Sequence, residues 1–346
     1  MGCGSSKSAA IGNDISDSLS DEDNQVQKEN NDLFHHEILN DSAALSDILQ
    51  SDDPTINGYH ILSEIACGPM SRVFQAIKED SKELCVAKIY SHSVLKKKRI
   101  SNDDQPYVLV QRELDILSKL SHKYVISLNE AFDDTRTNSL VIVLPYCPLG
   151  SLKHLLSQNL LNTNTISKCF YQIATACEYL HSNLIVHRDI KPANILAFNL
   201  GHFVLSDFSV SQEVAKQSSY ASDVKGTPMF MAPEECRGTK FHPMPVDVWA
   251  YGVSLYLSLF GRLPFDLETC QGFLHGGGIL ALYKHIHSND LMIPPDTPSN
   301  LVSLLKGVLE KDPAKRLTFK AIVLHPYFEE LHANATRKRK SSGVFN

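Results

Sequence analysis

Between two β-type runs lies ACGPMSRV, Ala66 to Val73, where small residues at Ala66, Gly68 and Ser71 leave room for close approach. A tight strand-turn-strand of that kind could bring its backbone amides up to phosphate oxygens. The same composition also makes a plain hairpin, so the stretch alone leaves both readings open. Lys88 follows twenty residues after Gly68, ending the apolar run Leu84 to Ala87. An ammonium facing inward there needs an anion, and a phosphate or a carboxylate would serve equally. Glu113, in QRELDILSKL, has Leu114, Leu117 and Leu120 nearby and can turn inward to hold that lysine. Without further motifs, surface positions for both are the plainer account.

The segment HRDIKPANIL, His187 to Leu196, followed by SDFS, Ser206 to Ser209, resembles the eukaryotic protein kinase family in residue type, order and spacing together. The resemblance runs from about Tyr59 to Phe328. It implies transfer of the γ-phosphoryl group of ATP to a protein hydroxyl, a reaction that asks mainly for positioning and charge neutralisation. By this resemblance Asp189 accepts or orients the hydroxyl proton, Lys191 approaches the γ-phosphate, and Asn194 and Asp207 hold two Mg2+ ions. Lys88 would bind the α- and β-phosphates, with Glu113 fixing its position. The nucleotide would meet Ala66, Gly68, Ser71, Val73 and Val86, a gatekeeper Leu144, and a hinge of Pro145, Tyr146 and Cys147.

GTPMFMAPE, Gly226 to Glu234, is similar to the end of a kinase activation segment and would place Thr227 near the acceptor and Asp189. The family pattern further pairs Glu234 with Arg316, gives Asp247 backbone N–H bonds from the catalytic loop, and makes His187 a packed structural residue. Lys191 after the His-Arg-Asp triplet favours serine or threonine acceptors over tyrosine. DFSVSQE, the extra residues between Lys88 and Glu113, and LHPYF are most similar to the calmodulin-dependent protein kinase kinase group, which implies an upstream kinase with other kinases among its protein substrates. Lys88, Glu113, Asp189, Asn194 and Asp207 together count against a scaffold without activity. Lys191 and GTPMFMAPE count against a kinase of small metabolites.

The chain also departs from the family. Ala66 and Ser71 replace two phosphate-loop glycines, and Val86 is bulkier than the usual alanine above the purine. Ser209 replaces the glycine of the Asp-Phe-Gly triplet and loses easy access to positive φ, so fewer excursions of Phe208 to a flipped state are expected. Arg188 could bind a phosphate in the activation segment, where Ser218, Ser219, Tyr220 and Ser222 cluster.

The elements that must position these residues follow from periodicity. Short β-type runs at Tyr59 to Ile65, Arg72 to Ile77, Leu84 to Tyr90 and Leu140 to Leu144 accompany one helical pattern from Val108 to Leu120. After Ser151 helical spacing dominates, at Cys169 to Leu180, Val246 to Phe260 and Leu301 to Leu309, with β-like pieces at Ile195-Leu196 and Phe203 to Leu205. The expectation is an α+β bilobal kinase fold, a β-rich N-lobe with one regulatory helix over about 59–146 and a larger helical C-lobe over about 147–328. Residues 1–58, with twelve acidic residues against Lys7 and Lys28, are expected to be disordered, apart from a transient or docked helix between Leu33 and Leu49. Residues 329–346 read as a short basic tail.

A chain of 346 residues with 43% hydrophobic content can bury one large core or two moderate ones. The eight cysteines lie singly and no apolar leader opens the chain, which points to a reducing, cytoplasmic setting. No apolar run approaches the roughly 18 to 20 residues of a spanning helix. The formal charge of −6 is not arranged with the basic stripe that nucleic acid requires. MGCGSSK matches a myristoylation signal at Gly2 with Cys3 beside it for palmitate, so two chains would hold the protein peripherally at a membrane. The tail after Phe328 has too few spaced apolar anchors to support calmodulin binding.

Overall fold

The structure, a computed structural model, describes residues 43–51, 54–97, 105–216, 220–221, 223, 225–270 and 278–341. Its contacts fall into two units, residues 1–100 with 130–144 and residues 101–129 with 145–346. Strands concentrate in the first and helices in the second, the α+β segregation expected from periodicity.

The first unit is a six-stranded sheet made of β1 (Thr55–Ile56), β2 (Tyr59–Cys67), β3 (Arg72–Lys78), β4 (Leu84–Ser91), β5 (Glu130–Asp134) and β6 (Ser139–Pro145), in the order β1-β2-β3-β4-β6-β5. Register decides which residues share a face. Ala66 pairs with Val73 and Val73 with Lys88, so these three line up across β2, β3 and β4. Strand alternation adds Val86 to the same face. Phe74, Ala76, Cys85, Ala87, Ile89, Val141 and Val143 point the other way into a core with Tyr59 and Ile61. Leu144, next to Val143, therefore turns to the face that carries Lys88.

That core has a lid: a docked helix forms over the C-terminal part of the stretch Leu33 to Leu49 where one was expected, residues 33–42 lying outside the described residues. Helix α1 (Ala43–Leu49) lays Leu45, 3% exposed, into it, with Ile48 and Leu49 packed alongside. Disorder through residue 58 is corrected at Thr55–Ile56, which pair with β2, while for the helix the apolar face of the sheet gives these side chains enough burial to offset its ordering. Leu45→Ala is expected to cost about 2 kcal/mol or more of stability. Thermal unfolding checks this, and an unchanged midpoint would contradict the docking.

The second unit takes α3 (Pro106–Lys119), following the short α2 (His92–Leu95) of the first. Lys119 at the end of this helix meets Glu213 at 2.5 Å, and the chain after the helix bonds Ile126 N to Leu205 O and Leu205 N to Tyr124 O, both at 2.9 Å. The unit continues through α4 (Leu152–Ser157), α5 (Thr163–Ser182), β7 (Ile185–Val186), β8 (Ile195–Asn199), β9 (His202–Leu205) and β10 (Gln212–Glu213). Then come α6 (Pro243–Phe260), α7 (Gly278–Ser288), α8 (Ser299–Val308), α9 (Phe319–Val323) and α10 (Glu329–Ser341). The expected short basic tail is therefore helical through Ser341, held at its start where Tyr171 Oη meets His332 Nδ1 at 3.3 Å.

α5 begins where the Asn162 side chain accepts from Thr165 N at 2.9 Å, and it buries Ile166, Phe170, Ile173, Ala174, Cys177 and Leu180 at helical spacing. α6 is buried nearly all round, as a central helix must be, and ends at Gly261 with φ of +67°. Among the described residues, no helix is long and apolar enough to cross a membrane.

Candidate active site

Two short antiparallel strand pairs, of which β8–β9 is a hairpin, flank residues 187–194. β7 pairs with β10 and β8 with β9, so residues 187–194 are strung between strands fixed at both ends. Ile195 stands opposite Leu205, which brings Asn194 beside Ser206 and hence next to Asp207. Ser206 reinforces this by donating from both N and Oγ to the Asn194 carbonyl oxygen at 2.9 Å.

The loop backbone is anchored from below. Asp247, buried in α6, accepts from His187 N at 2.8 Å and from Arg188 N at 2.7 Å, and it meets His181 Nε2 at 2.9 Å. Burial opposes its ionisation, but the hydrogen bond to His181 and the neighbouring histidines hold its carboxyl below the usual carboxylate range. His187 is fully buried, its Nε2 3.0 Å from Ser206 O and its ring edge-on to Phe208 at 5.0 Å. It serves packing rather than proton transfer.

Asp189 is the centre of the polar network. Its Oδ2 accepts from Asn194 Nδ2 at 2.8 Å and lies 2.9 Å from Lys191 Nζ. Its Oδ1 accepts from Thr227 Oγ1 at 2.9 Å and from Thr227 N at 3.2 Å. Lys191 Nζ also donates to Thr227 Oγ1 at 2.6 Å. The result is a carboxylate of fixed orientation with an ammonium and a hydroxyl beside it. Such a group can orient an alcohol, and the lysine can neutralise negative charge arriving there.

Asn194 Nδ2 also donates to Asp189 O at 2.8 Å, so the amide nitrogen is committed and its oxygen is the atom left for a cation. Asp207 has φ of +63°, and Ser209 N donates to its Oδ1 at 3.4 Å. Ser209 itself is absent from the described residues with positive φ, so serine carries no left-handed strain in this conformation, while Phe208 is buried. An amide oxygen and a carboxylate suit a hard divalent ion.

In the first unit, Lys88 lies with Ala66, Val73, Val86 and Leu144 on one sheet face, its Nζ 5.4 Å from the Tyr90 ring centroid. Gly68 N donates to Ser71 O at 2.8 Å and closes the turn that the sequence left open between hairpin and phosphate loop. In the second unit, Glu113 is 3% exposed on α3, and the Cys147 thiol, buried after Tyr146, is pushed up to about 12. Gly2, Cys3, Ser218, Ser219 and Ser222 lie outside the described residues.

Further positions carry weight. Arg316 Nη1 and Nη2 donate to Glu234 at 2.6 and 3.0 Å, while its Nε donates to Glu310 O at 2.8 Å. Asp223, which the sequence reading did not single out, takes Arg188 Nη1 at 3.1 Å and Lys225 at 3.0 Å. Burial works against its charge, but bonds from Arg188 and Lys225 outweigh it and hold the carboxyl down to about 2.

Glu235 was missed as well. It is 2% exposed, accepts from Ala232 N at 3.0 Å, and burial pushes its carboxyl up to about 8 from 4.5. The native chain therefore keeps a proton that the unfolded chain has released, and stability contributed here is lost as pH rises from the lower value through the higher. Glu235→Gln, with no proton to lose, is expected to gain stability over the parent by a few kcal/mol as pH rises from about 5 to about 8. Melting curves at both pH values check it; a difference independent of pH would contradict it.

An aspartate held by an asparagine, a lysine and a threonine, in a chain that also carries a lysine-bearing sheet, is the arrangement of a protein kinase domain. The chain belongs to that family: the protein kinase domain pattern matches residues 59–328. Over 230 residues it is 35% identical to Serine/threonine-protein kinase ppk34 of Schizosaccharomyces pombe, covering 65% of this chain and 62% of that one. It is 32% identical over 294 residues to Calcium/calmodulin-dependent protein kinase kinase of Caenorhabditis elegans, covering 79% and 52%. It is likewise 32% identical over 324 residues to SNF1-activating kinase 1 of Saccharomyces cerevisiae, covering 79% and 28%. The chain thus spans from about a quarter to under two thirds of the length of these relatives. The family uses ATP with a divalent metal, and the oxygen donors of Asn194 and Asp207 fit that requirement.

Proposed function

We propose that this chain transfers the γ-phosphoryl group of Mg-ATP to serine or threonine hydroxyls of protein substrates, other kinases among them. The observation that carries the reading is the placement of Asp189 and Lys191 on Thr227, which puts a proton acceptor and a cation at one hydroxyl-binding point. Asp189 orients the acceptor hydroxyl and takes its proton as the new ester bond to the γ-phosphorus forms and the bond to the β–γ bridging oxygen breaks, releasing ADP. Lys191 holds its charge against the γ-phosphoryl oxygens. Asn194 and Asp207 would hold Mg2+, whose charge offsets that of the phosphates when bound. Among the described residues no group of three or more His, Cys, Asp or Glu could hold a metal, so nucleotide oxygens and water would complete its shell. Lys88 with Ala66, Gly68, Ser71, Val73, Val86 and Leu144 in the first unit would contact the nucleotide, and Glu113, Tyr146 and Cys147 in the second have the roles that the family pattern implies.

Kinase substrates are supported by relatives named as a kinase kinase and as a SNF1-activating kinase. A myristoyl chain on Gly2 and a palmitoyl chain on Cys3 would add peripheral membrane attachment, because one acyl chain alone binds marginally. Labelled ATP offered with Mg2+ to a generic protein and to a catalytically dead kinase tests the substrate class. Preference for the kinase substrate is expected, and equal or weaker labelling would reject it. Membrane fractionation of Gly2→Ala tests the anchor: it should move to the soluble fraction, and unchanged partitioning would remove the acylation claim.

A further inference from the structure

Arg188 carries a buried cation directly before Asp189, its side chain 1% exposed, and such a charge requires a counter-ion. Asp223 supplies it. Arg188 Nη1 donates to both carboxylate oxygens at 3.1 Å, Nη2 donates to the Asp223 carbonyl oxygen, and Lys225 Nζ lies 3.0 Å from the same carboxylate. Gln212 Oε1 takes a further bond from Nη1 at 3.1 Å. Arg188 also has φ of +68°, a left-handed backbone that a side chain disfavours, so its conformation needs external support.

The chain after Asp223 then lies across the catalytic loop. A Cβ on Gly226, whose φ is +96°, would stand 2.5 Å from Arg188 O, which shows how closely the two backbones cross. The next residue is Thr227, bonded to Asp189 and Lys191. Asp223 is therefore the first of three successive attachments that set Asp189.

We propose that Asp223 is a positioning residue for phosphoryl transfer, its carboxylate anchoring Arg188 in the place of an activation-segment phosphate, so that the catalytic loop is set without phosphorylation. The inference rests on the kinase reading of the site. A phosphate would bring three oxygens and more charge, whereas a carboxylate brings two oxygens and a single charge. Accordingly Arg188 Nε has no hydrogen-bond partner among the described residues, and it is the donor that a larger anion would engage. Modification of Ser218, Ser219, Tyr220 or Ser222 is then dispensable.

The test uses the full chain as wild type, Asp223→Asn and Asp223→Glu, each before and after phosphatase treatment. The Asn variant keeps the shape and loses the charge, and it should lower kcat by about tenfold or more with KM for ATP little changed. The Glu variant should recover most of that loss, and phosphatase should leave wild-type kcat unaltered. Wild-type kcat in Asp223→Asn, or a phosphatase-induced fall as large as the Asn effect, overturns the proposal. Hydrogen exchange supplies a readout independent of turnover: the Thr227 amide, bonded to Asp189, should exchange faster in Asp223→Asn and at the wild-type rate in Asp223→Glu. Equal exchange in all three overturns the anchor even if the chain proves not to transfer phosphate, so the two failures are told apart.

Discussion

Asp189→Asn is expected to lower kcat by about 10²- to 10⁴-fold while leaving KM for ATP little changed. An amide cannot take the acceptor's proton. Moreover, Oδ1 and Oδ2 both act as acceptors here, toward Thr227 on one side and toward Asn194 on the other. Placing an NH2 at either position sets donor against donor. The substitution therefore removes both the base and its alignment, while Lys88 and the sheet face that carries it stay intact. Steady-state kinetics on the purified variant, with its melting temperature as a folding control, decides the matter. A loss confined to KM would mean that Asp189 binds nucleotide instead of acting on the acceptor.

The largest effect on stability is expected at Glu234. Arg316 has a side chain with no exposure, and Glu234 meets it with two bonds. Its guanidinium carbon also lies 5.1 Å from the Trp249 ring centroid. Removing the carboxylate leaves a buried cation unpaired, a loss on the order of 3–5 kcal/mol. Glu234→Ala should therefore melt roughly 10 °C below the parent. Adding Arg316→Met should cost less than the sum of the two single changes, since the charge that was left unpaired is gone. Additive losses in a denaturant series would show that the pair is not coupled.

Much of this was legible in the sequence because the chemistry is local. HRDIKPANIL and SDFS carry Asp189, Lys191, Asn194 and Asp207 within 19 residues, and the β8–β9 hairpin that juxtaposes them is visible as two β-like pieces. The long helices α5, α6 and α8 announce themselves by apolar spacing. What escaped depends on distant partners. The apolar spacing around Leu45, Ile48 and Leu49 marks a helix that could dock, but the sheet face it covers is built from residues far along the chain. Glu235 reverses the usual rule that a carboxylate stays in water. Asp223 resembles any acidic residue among serines, and its meeting with Arg188, 35 positions away, is fixed by the crossing at Gly226 and not by spacing.

The most direct test of the central claim is phosphoamino-acid analysis of a protein substrate labelled from γ-labelled ATP and Mg2+ by the purified full chain. Label on phosphoserine or phosphothreonine, and none when Asp189→Asn replaces the wild type, is the predicted result. No label from wild type, label on tyrosine alone, or undiminished label from Asp189→Asn would contradict it.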